Sequence, residues 1–520
     1  MSRPLVRGLL RLEAMSSAAQ PGVRRDRWLI AIAVVAAGCG TPSQASESPL
    51  DRATDAAWPV VNQWDPRLEA EYADFVTRLG EAVEARRCRR LADCLRDPAA
   101  NTTYEPAIDA ALKLHLDCAD LPYVLRAYFS FKRRLPFGFV ASTRGTGRDP
   151  RYAVGIAPTA YRTWRDYPTP RALLRGVVGQ VHSGMYRMAP QVEGSDFYPL
   201  RVAPGVVQPG AIYYDPNGHV LVVARVRPDG AVYLIDGHPD GSLTWKRFGA
   251  AFAIGTARLG GGFKAFRPLR VRGDEVLRAA NAELPDFDGV SQYAHHDDPT
   301  AAEGGGYHAW VRAALTVTGV AVDPFAEFCE QLEAVCGDLA DRAAAVDAAI
   351  AAGLAGQPHP EALPENIYGT EGDWEVYSTP SRDARLKAAV RQLRAYADGL
   401  PRNAFVTLVL RALWWQTGSS AACRTSYRDS LGRTVDLGLD AVIDRLVALS
   451  FDPYHCPELR WGATASSELA SCPDDATKRG WYDAERRLRY RIDRAYGVPT
   501  PLDDGPEQPP DIDPRRAFTR

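Results

Sequence analysis

The chain has 520 residues, of which 46% are hydrophobic and 24% charged, the proportions of a globular protein rather than a disordered or membrane-embedded one. Sixty-two basic residues against sixty-four acidic ones leave a formal charge of -2, so no global field draws the protein to nucleic acid. At the usual ~100 to 200 residues per domain, the length predicts two or three domains, or one enlarged domain with a helical extension.

Residues 1–39 read as a targeting segment. Arg24, Arg25 and Arg27 precede an apolar run from Trp28 to Gly38, and Cys39 follows at once. Such a run is too short to span a bilayer and suits the apolar region of a signal peptide. Ala36, Ala37 and Gly38 before Cys39 resemble the lipobox of bacterial lipoproteins. That resemblance implies lipidation of Cys39 as the mature N-terminus, a membrane partner through that anchor, and a place in the cell envelope on the periplasmic side. Residues 40–60, beginning TPSQASESP, read as a polar linker.

Residues 61–272 mix helical and strand patterns, the signature of an α+β domain. The first helix starts where Asp65 caps and Pro66 takes the first helical position, with Leu68, Tyr72, Phe75, Val76, Leu79 and Val83 recurring at helical spacing. In LDCADLPYVLRAYFSFKRRLPFGFV, Leu121, Val124, Leu125, Tyr128 and Phe129 define a second amphipathic helix with Cys118 at its amino end. Helix-end N–H groups and the positive end of the dipole favour a thiolate, so a lowered pKa is expected for Cys118. Because Pro122 lacks an N–H, regular helix is expected from Ala119 or Asp120, with Cys118 at the cap. Farther on, Val220–Val226 and Ala231–Ile235 are β-branched apolar runs joined by Arg227-Pro228-Asp229-Gly230, a hairpin pattern whose two ends carry His219 and Asp236. Antiparallel pairing brings those ends together and offers a base and an orienting carboxylate to a thiol.

In these strings the chain resembles the papain-like cysteine peptidase superfamily. Cys118-x-Asp120, the apolar helix positions and LPFGFV look like the transglutaminase core. The pair Asp117-Cys118 before a small residue, and PGA upstream of HVLVV, look like the cell-wall NlpC endopeptidases. The resemblance covers about residues 105–250. It implies a papain-like domain, a cysteine helix packed on an antiparallel sheet, in which Cys118 attacks an amide carbonyl, His219 carries the proton and Asp236 holds the imidazole. The activity implied is that of a cysteine amidase or endopeptidase on a peptide or cell-wall amide, with no cofactor and no metal. Transglutaminase-type acyl transfer and a catalytically inert envelope-binding lipoprotein are the two other readings.

Residues 273–500 read as mostly helical. Phe325, Phe328, Cys329, Leu332, Cys336 and Leu339 share one face, and Thr379-Pro380 opens a helix through LKAAVRQLRAY. Between them NIYGTEGDWEVYSTPS reads as a long loop, in which Tyr368, Trp374 and Tyr377 either pack or stack on sugar rings. Residues 501–520 read as a disordered tail. The string GYHAWVRAALTVTGVAVDP offers His308 as a rival base, although its spacing fits a helix equally well. His238 is a rival orienter, His295 to Asp298 suit a solvated loop or a metal, and Arg486 to Arg494 form a basic stretch.

Apart from Cys39 there are eight cysteines: 88, 94, 118, 329, 336, 423, 456 and 472. With Cys118 a nucleophile, an odd number remains, so at least one further thiol is free. Cys329 and Cys336 lie ~10 Å apart along a continuous helix, beyond disulfide reach.

Overall fold

The structure, a computed structural model, describes residues 48–295, 306–368, 372–492, 502–503 and 505–518. Residues 1–39 with Cys39, most of the polar stretch after them, and positions 296–298 of the candidate metal loop lie outside the described residues.

The centre of the fold is an antiparallel six-stranded sheet in the order β3-β8-β4-β5-β6-β7. Its strands are β3 (Phe197–Pro199), β4 (Ile212–Asp215), β5 (His219–Val226), β6 (Val232–Gly237), β7 (Leu243–Arg247) and β8 (Gly262–Phe266). β1 (Gly138–Thr146) and β2 (Val154–Thr163) form a separate antiparallel pair. Side chains alternate across β5, and both faces are buried. Val220, Val222 and Ala224 join the core beneath α1 (Pro66–Glu84) and the cysteine helix Asp120–Arg133. Leu221 and Val223 join a second core with Tyr307, Val311 and Leu315 of the helix Gly306–Leu315. Burial on both faces is why these strands read as continuous apolar runs rather than as alternating ones. Helix α1 lies close on the sheet through Gly80, where a Cβ would come within 2.6 Å of the Ala224 Cβ.

The chain is thus α+β, an antiparallel sheet between two helical layers with a largely helical C-terminal part. Glu47–Arg520 clusters as one compact unit. Several expected boundaries move as a result. Leu50, Ala57 and Trp58 are buried in the core, so the linker does not extend to residue 60. The expected domain end at 272 falls inside a hairpin, because Leu269–Arg272 pairs with Glu275–Arg278. The strand Thr425–Arg428 pairs with Thr434–Leu437 within the helical part. Residues 372–377 form a short helix inside the expected loop, with Trp374 buried and donating to the Ile367 carbonyl at 3.1 Å. The tail expected to be disordered instead packs, with Ile512 and Phe518 buried and the Phe518 carbonyl accepting from Arg411 at 2.7 Å. An apolar residue every few positions anchors a segment that composition alone marks as unfolded. Of the basic stretch, Arg489 is buried and Arg486 exposed, and Arg494 lies outside the described residues.

Among the described residues six cysteines pair as Cys88–Cys94, Cys336–Cys423 and Cys456–Cys472, leaving Cys118 and Cys329 as thiols. The helix Pro324–Ala351 is continuous, which keeps Cys329 and Cys336 apart.

Candidate active site

Asp117, not Cys118, caps the cysteine helix. Its Oδ1 accepts from the N–H groups of Ala119 (2.8 Å) and Asp120 (3.1 Å), while Asp120 Oδ2 accepts from the Asp117 N–H at 3.2 Å. This reciprocal pair is a capping-box arrangement, and the Leu121 N–H closes the turn on the Asp117 carbonyl at 3.2 Å. Cys118 therefore sits in the first turn, one position inside the expected cap. Regular helix begins at Asp120, one of the two expected starts, so Pro122 falls within its first turn, where backbone N–H groups have no intrahelical acceptor.

The cysteine turn meets the sheet at the open end of the β5–β6 hairpin. Direct β5–β6 pairing runs from Val222 opposite Ile235 toward the hairpin turn. At the other end a side chain on Gly237 would lie 2.8 Å from the Asp117 carbonyl oxygen, so glycine lets the turn approach. The Val220 backbone N–H lies close enough to the half-buried Cys118 sulfur to favour its thiolate, and no hydrogen bond between that sulfur and His219 is present among the described residues. Val220 is the residue after His219.

His219 and Asp236 come together as expected, with Nε2 2.7 Å from Asp236 Oδ2. The Asp236 carboxylate is fully buried, whereas the His219 side chain keeps 12% of its surface exposed. Holding Nε2 on the carboxylate leaves Nδ1 as the ring nitrogen that can take a proton. The second Asp236 oxygen accepts from the Thr244 hydroxyl, directly across β6–β7. His238 stands behind the aspartate, with Nε2 3.2 Å from Thr244 Oγ1 and 3.6 Å from Asp236 Oδ1.

Electrostatics specify a neutral pair. Burial pushes the Cys118 thiol well above its ordinary range, and the adjacent Asp117 carboxylate adds to this. The helix-end effect expected to lower it is outweighed. Burial, then the Arg385 guanidinium, lower His219 to about 4 against the opposing pull of Asp236. For Asp236, burial favours the neutral acid, but the two histidines and Lys246 outweigh it and hold the carboxylate below its usual range. Burial and Asp117 raise Asp120 to about 8, so it is protonated at neutral pH. Near pH 7 the site thus holds a thiol, an imidazole and an aspartate. Asp117→Asn keeps the capping oxygen and removes the charge beside the sulfur. Iodoacetamide labelling of Cys118 at neutral pH is expected to be slow in the wild type and several-fold faster in this variant. An equal rate in both would assign the raised thiol to burial alone.

The rival base is placed elsewhere. His308 is buried on the helix Gly306–Leu315, with Nε2 2.9 Å from the Phe252 carbonyl. It lines a cavity of about 1090 Å³ together with Phe248, Arg385, Arg391 and Tyr396, whose wall includes none of Cys118, His219 and Asp236. His295 lies against the Trp310 ring at a centroid distance of 4.4 Å. Thr244 and Arg385 carried no sequence signal as site residues, and Asp117 carried one only as the residue before Cys118 in the NlpC-like string. Arg385 comes from the helix Pro380–Gly399, whose approach to the site is set by tertiary packing.

No protein-family model matches this chain, and no curated protein and no solved structure shows significant similarity to it.

Proposed function

We propose that the protein is a papain-like cysteine amidase or peptidase, with Cys118 as nucleophile, His219 as base and acid, and Asp236 as orienter. The observation that carries this reading is the His219–Asp236 bond of 2.7 Å at the hairpin end on which the Cys118 turn rests. A buried aspartate fixes one imidazole tautomer, and a neutral imidazole accepts the thiol proton as sulfur attacks the carbonyl. The imidazolium formed then faces Asp236, so charge develops beside its counter-charge. It returns the proton to the leaving amine, and water resolves the thioester by the reverse route. The raised thiol supports general-base activation during attack rather than a resting thiolate-imidazolium pair.

The substrate class is an amide of a peptide or cell-wall peptide, and the place of action is the envelope, held there by a lipid on Cys39. Transglutaminase-type transfer shares every step up to the thioester and differs only in the acceptor. The test is mass spectrometry of the protein after a short incubation with acyl-peptide and muropeptide substrates. A thioester on the Cys118 peptide is expected, with free acid as product in water. Amide exchange onto an added amine in preference to hydrolysis would indicate the transferase. Cleavage that persists after Cys118 is blocked would remove it from the mechanism.

A further inference from the structure

Far along the chain from the candidate active site, three segments of the C-terminal part bring two histidines and two carboxylates into one buried cluster. His359 comes from a proline-rich loop, Asp452 and His455 from the segment before the helix Pro457–Arg460, and Glu485 from the junction of the helices Ala476–Ala484 and Arg486–Tyr490. All four side chains are fully buried. His359 Nε2 is 2.6 Å from Asp452 Oδ2, and His455 Nε2 is 4.0 Å from Glu485 Oε2. One ligand atom each from His359, Asp452 and Glu485 lies within 4.8 Å of the others, whereas His455 Nε2 falls outside that trio and approaches it at Glu485.

Hydrogen bonding leaves this cluster incomplete. Among the described residues His455 Nε2 is buried without a hydrogen-bond partner, and the buried Glu485 oxygens find no donor and meet the Asp452 carboxylate instead. Leaving such groups unpaired is costly, and here they face one another. The far sides of both rings are occupied. His455 Nδ1 is 2.9 Å from Asp474 Oδ2, and His359 Nδ1 is 2.6 Å from the Pro360 carbonyl. Those acceptors require a proton on each Nδ1, so the His455 Nε2 lone pair turns inward, while His359 Nε2 donates to Asp452 and gives up that proton when an ion binds. A carboxylate or carbonyl behind each imidazole is the outer arrangement that orients metal-ligating histidines. Trp481 stacks on His359 at 4.7 Å and fixes the ring plane.

We propose that His359, Asp452, His455 and Glu485 form a closed structural site for a divalent transition metal, with zinc as the committed ion. Two imidazoles and two carboxylates suit zinc in four-coordinate geometry, whereas calcium and magnesium prefer all-oxygen shells. The ion neutralises the two carboxylates, satisfies the unpartnered atoms and joins three segments that regular secondary structure does not connect. Full burial makes it a stabilising site with no open position for a substrate. The Cys456–Cys472 disulfide lies alongside, since the Cys456 N–H also bonds Asp474 at 3.2 Å. Its sulfurs are paired with each other and are not ligands.

The experiment uses the full mature chain, with Cys118→Ala and Cys329→Ser removing the two thiols that would bind zinc elsewhere. After equilibration with zinc and exhaustive dialysis, elemental analysis is expected to give one zinc per chain. X-ray absorption is expected to show only nitrogen and oxygen neighbours at ~2.0 to 2.2 Å. Chelation should lower the midpoint of thermal unfolding, and zinc should restore it. Glu485→Gln, which keeps the shape, should reduce the retained zinc at least tenfold. Zinc below a tenth of an equivalent in the parent protein, sulfur in the absorption shell, or unchanged zinc in Glu485→Gln would each overturn the site. Should Glu485→Gln fail to fold, the parent protein's stoichiometry and ligand shell still decide.

Discussion

Cys118→Ala is expected to reduce single-turnover acylation by an activated ester to background, a loss of ~10⁴-fold or more, because no other group supplies the attacking sulfur. His219→Ala should slow the same step by ~10² to 10⁴-fold, the usual worth of a positioned general base. The thiol is held above its ordinary range by burial, so without the imidazole little thiolate is available at neutral pH to rescue the rate. Asp236→Asn should cost least. Asparagine fills the same buried volume and its oxygen still accepts from His219 Nε2, but it no longer offers a full charge to the imidazolium. His308→Ala should leave acylation unchanged, since that ring is committed to the Phe252 carbonyl. Circular dichroism on each variant separates loss of chemistry from loss of fold. Loss with His308→Ala and none with His219→Ala would transfer the base to the helix Gly306–Leu315 and make the hairpin structural.

A second large effect is expected at Arg342, which is 0% exposed within the long helix Pro324–Ala351. Its guanidinium donates to Asp383 Oδ1 at 2.7 Å and to the carbonyls of Ser450 and Arg460 at 3.1 and 2.9 Å. One side chain thus joins the long helix, the helix Pro380–Gly399 and the segment that carries Asp452. Arg342→Met strands a buried carboxylate and two buried carbonyls, and denaturant unfolding should show a loss of ~3 to 5 kcal/mol. Adding Asp383→Leu removes the stranded charge and should recover a large part of that loss. If Arg342→Met costs less than ~1 kcal/mol, the arginine contributes little to holding these segments together. Arg385 lies two residues beyond Asp383 on the same helix, so the single variant should also alter the electrostatics around His219.

Local pattern determined much of this protein. The helix from Pro66, the β5–β6 hairpin with its Arg-Pro-Asp-Gly turn and the helical character of the C-terminal part follow from periodicity, capping and turn chemistry, which act over a few residues. The meeting of His219 with Asp236 was legible because a hairpin brings the outer ends of its strands together, although a bulge between Val223 and Arg225 makes the contact diagonal rather than a direct cross-strand pair. Tertiary structure decided the rest. Asp117 rather than Cys118 became the cap, the thiol was raised rather than lowered, and Trp58, Ile512 and Phe518 were drawn from apparently unstructured stretches into the core. Those outcomes depend on desolvation and on partners distant in sequence: Val220 and Gly237 for Cys118, Arg411 for Phe518. The cluster of His359, Asp452, His455 and Glu485 spans more than a hundred residues with no motif spacing, so only the folding of three separate segments onto one another brings its atoms together.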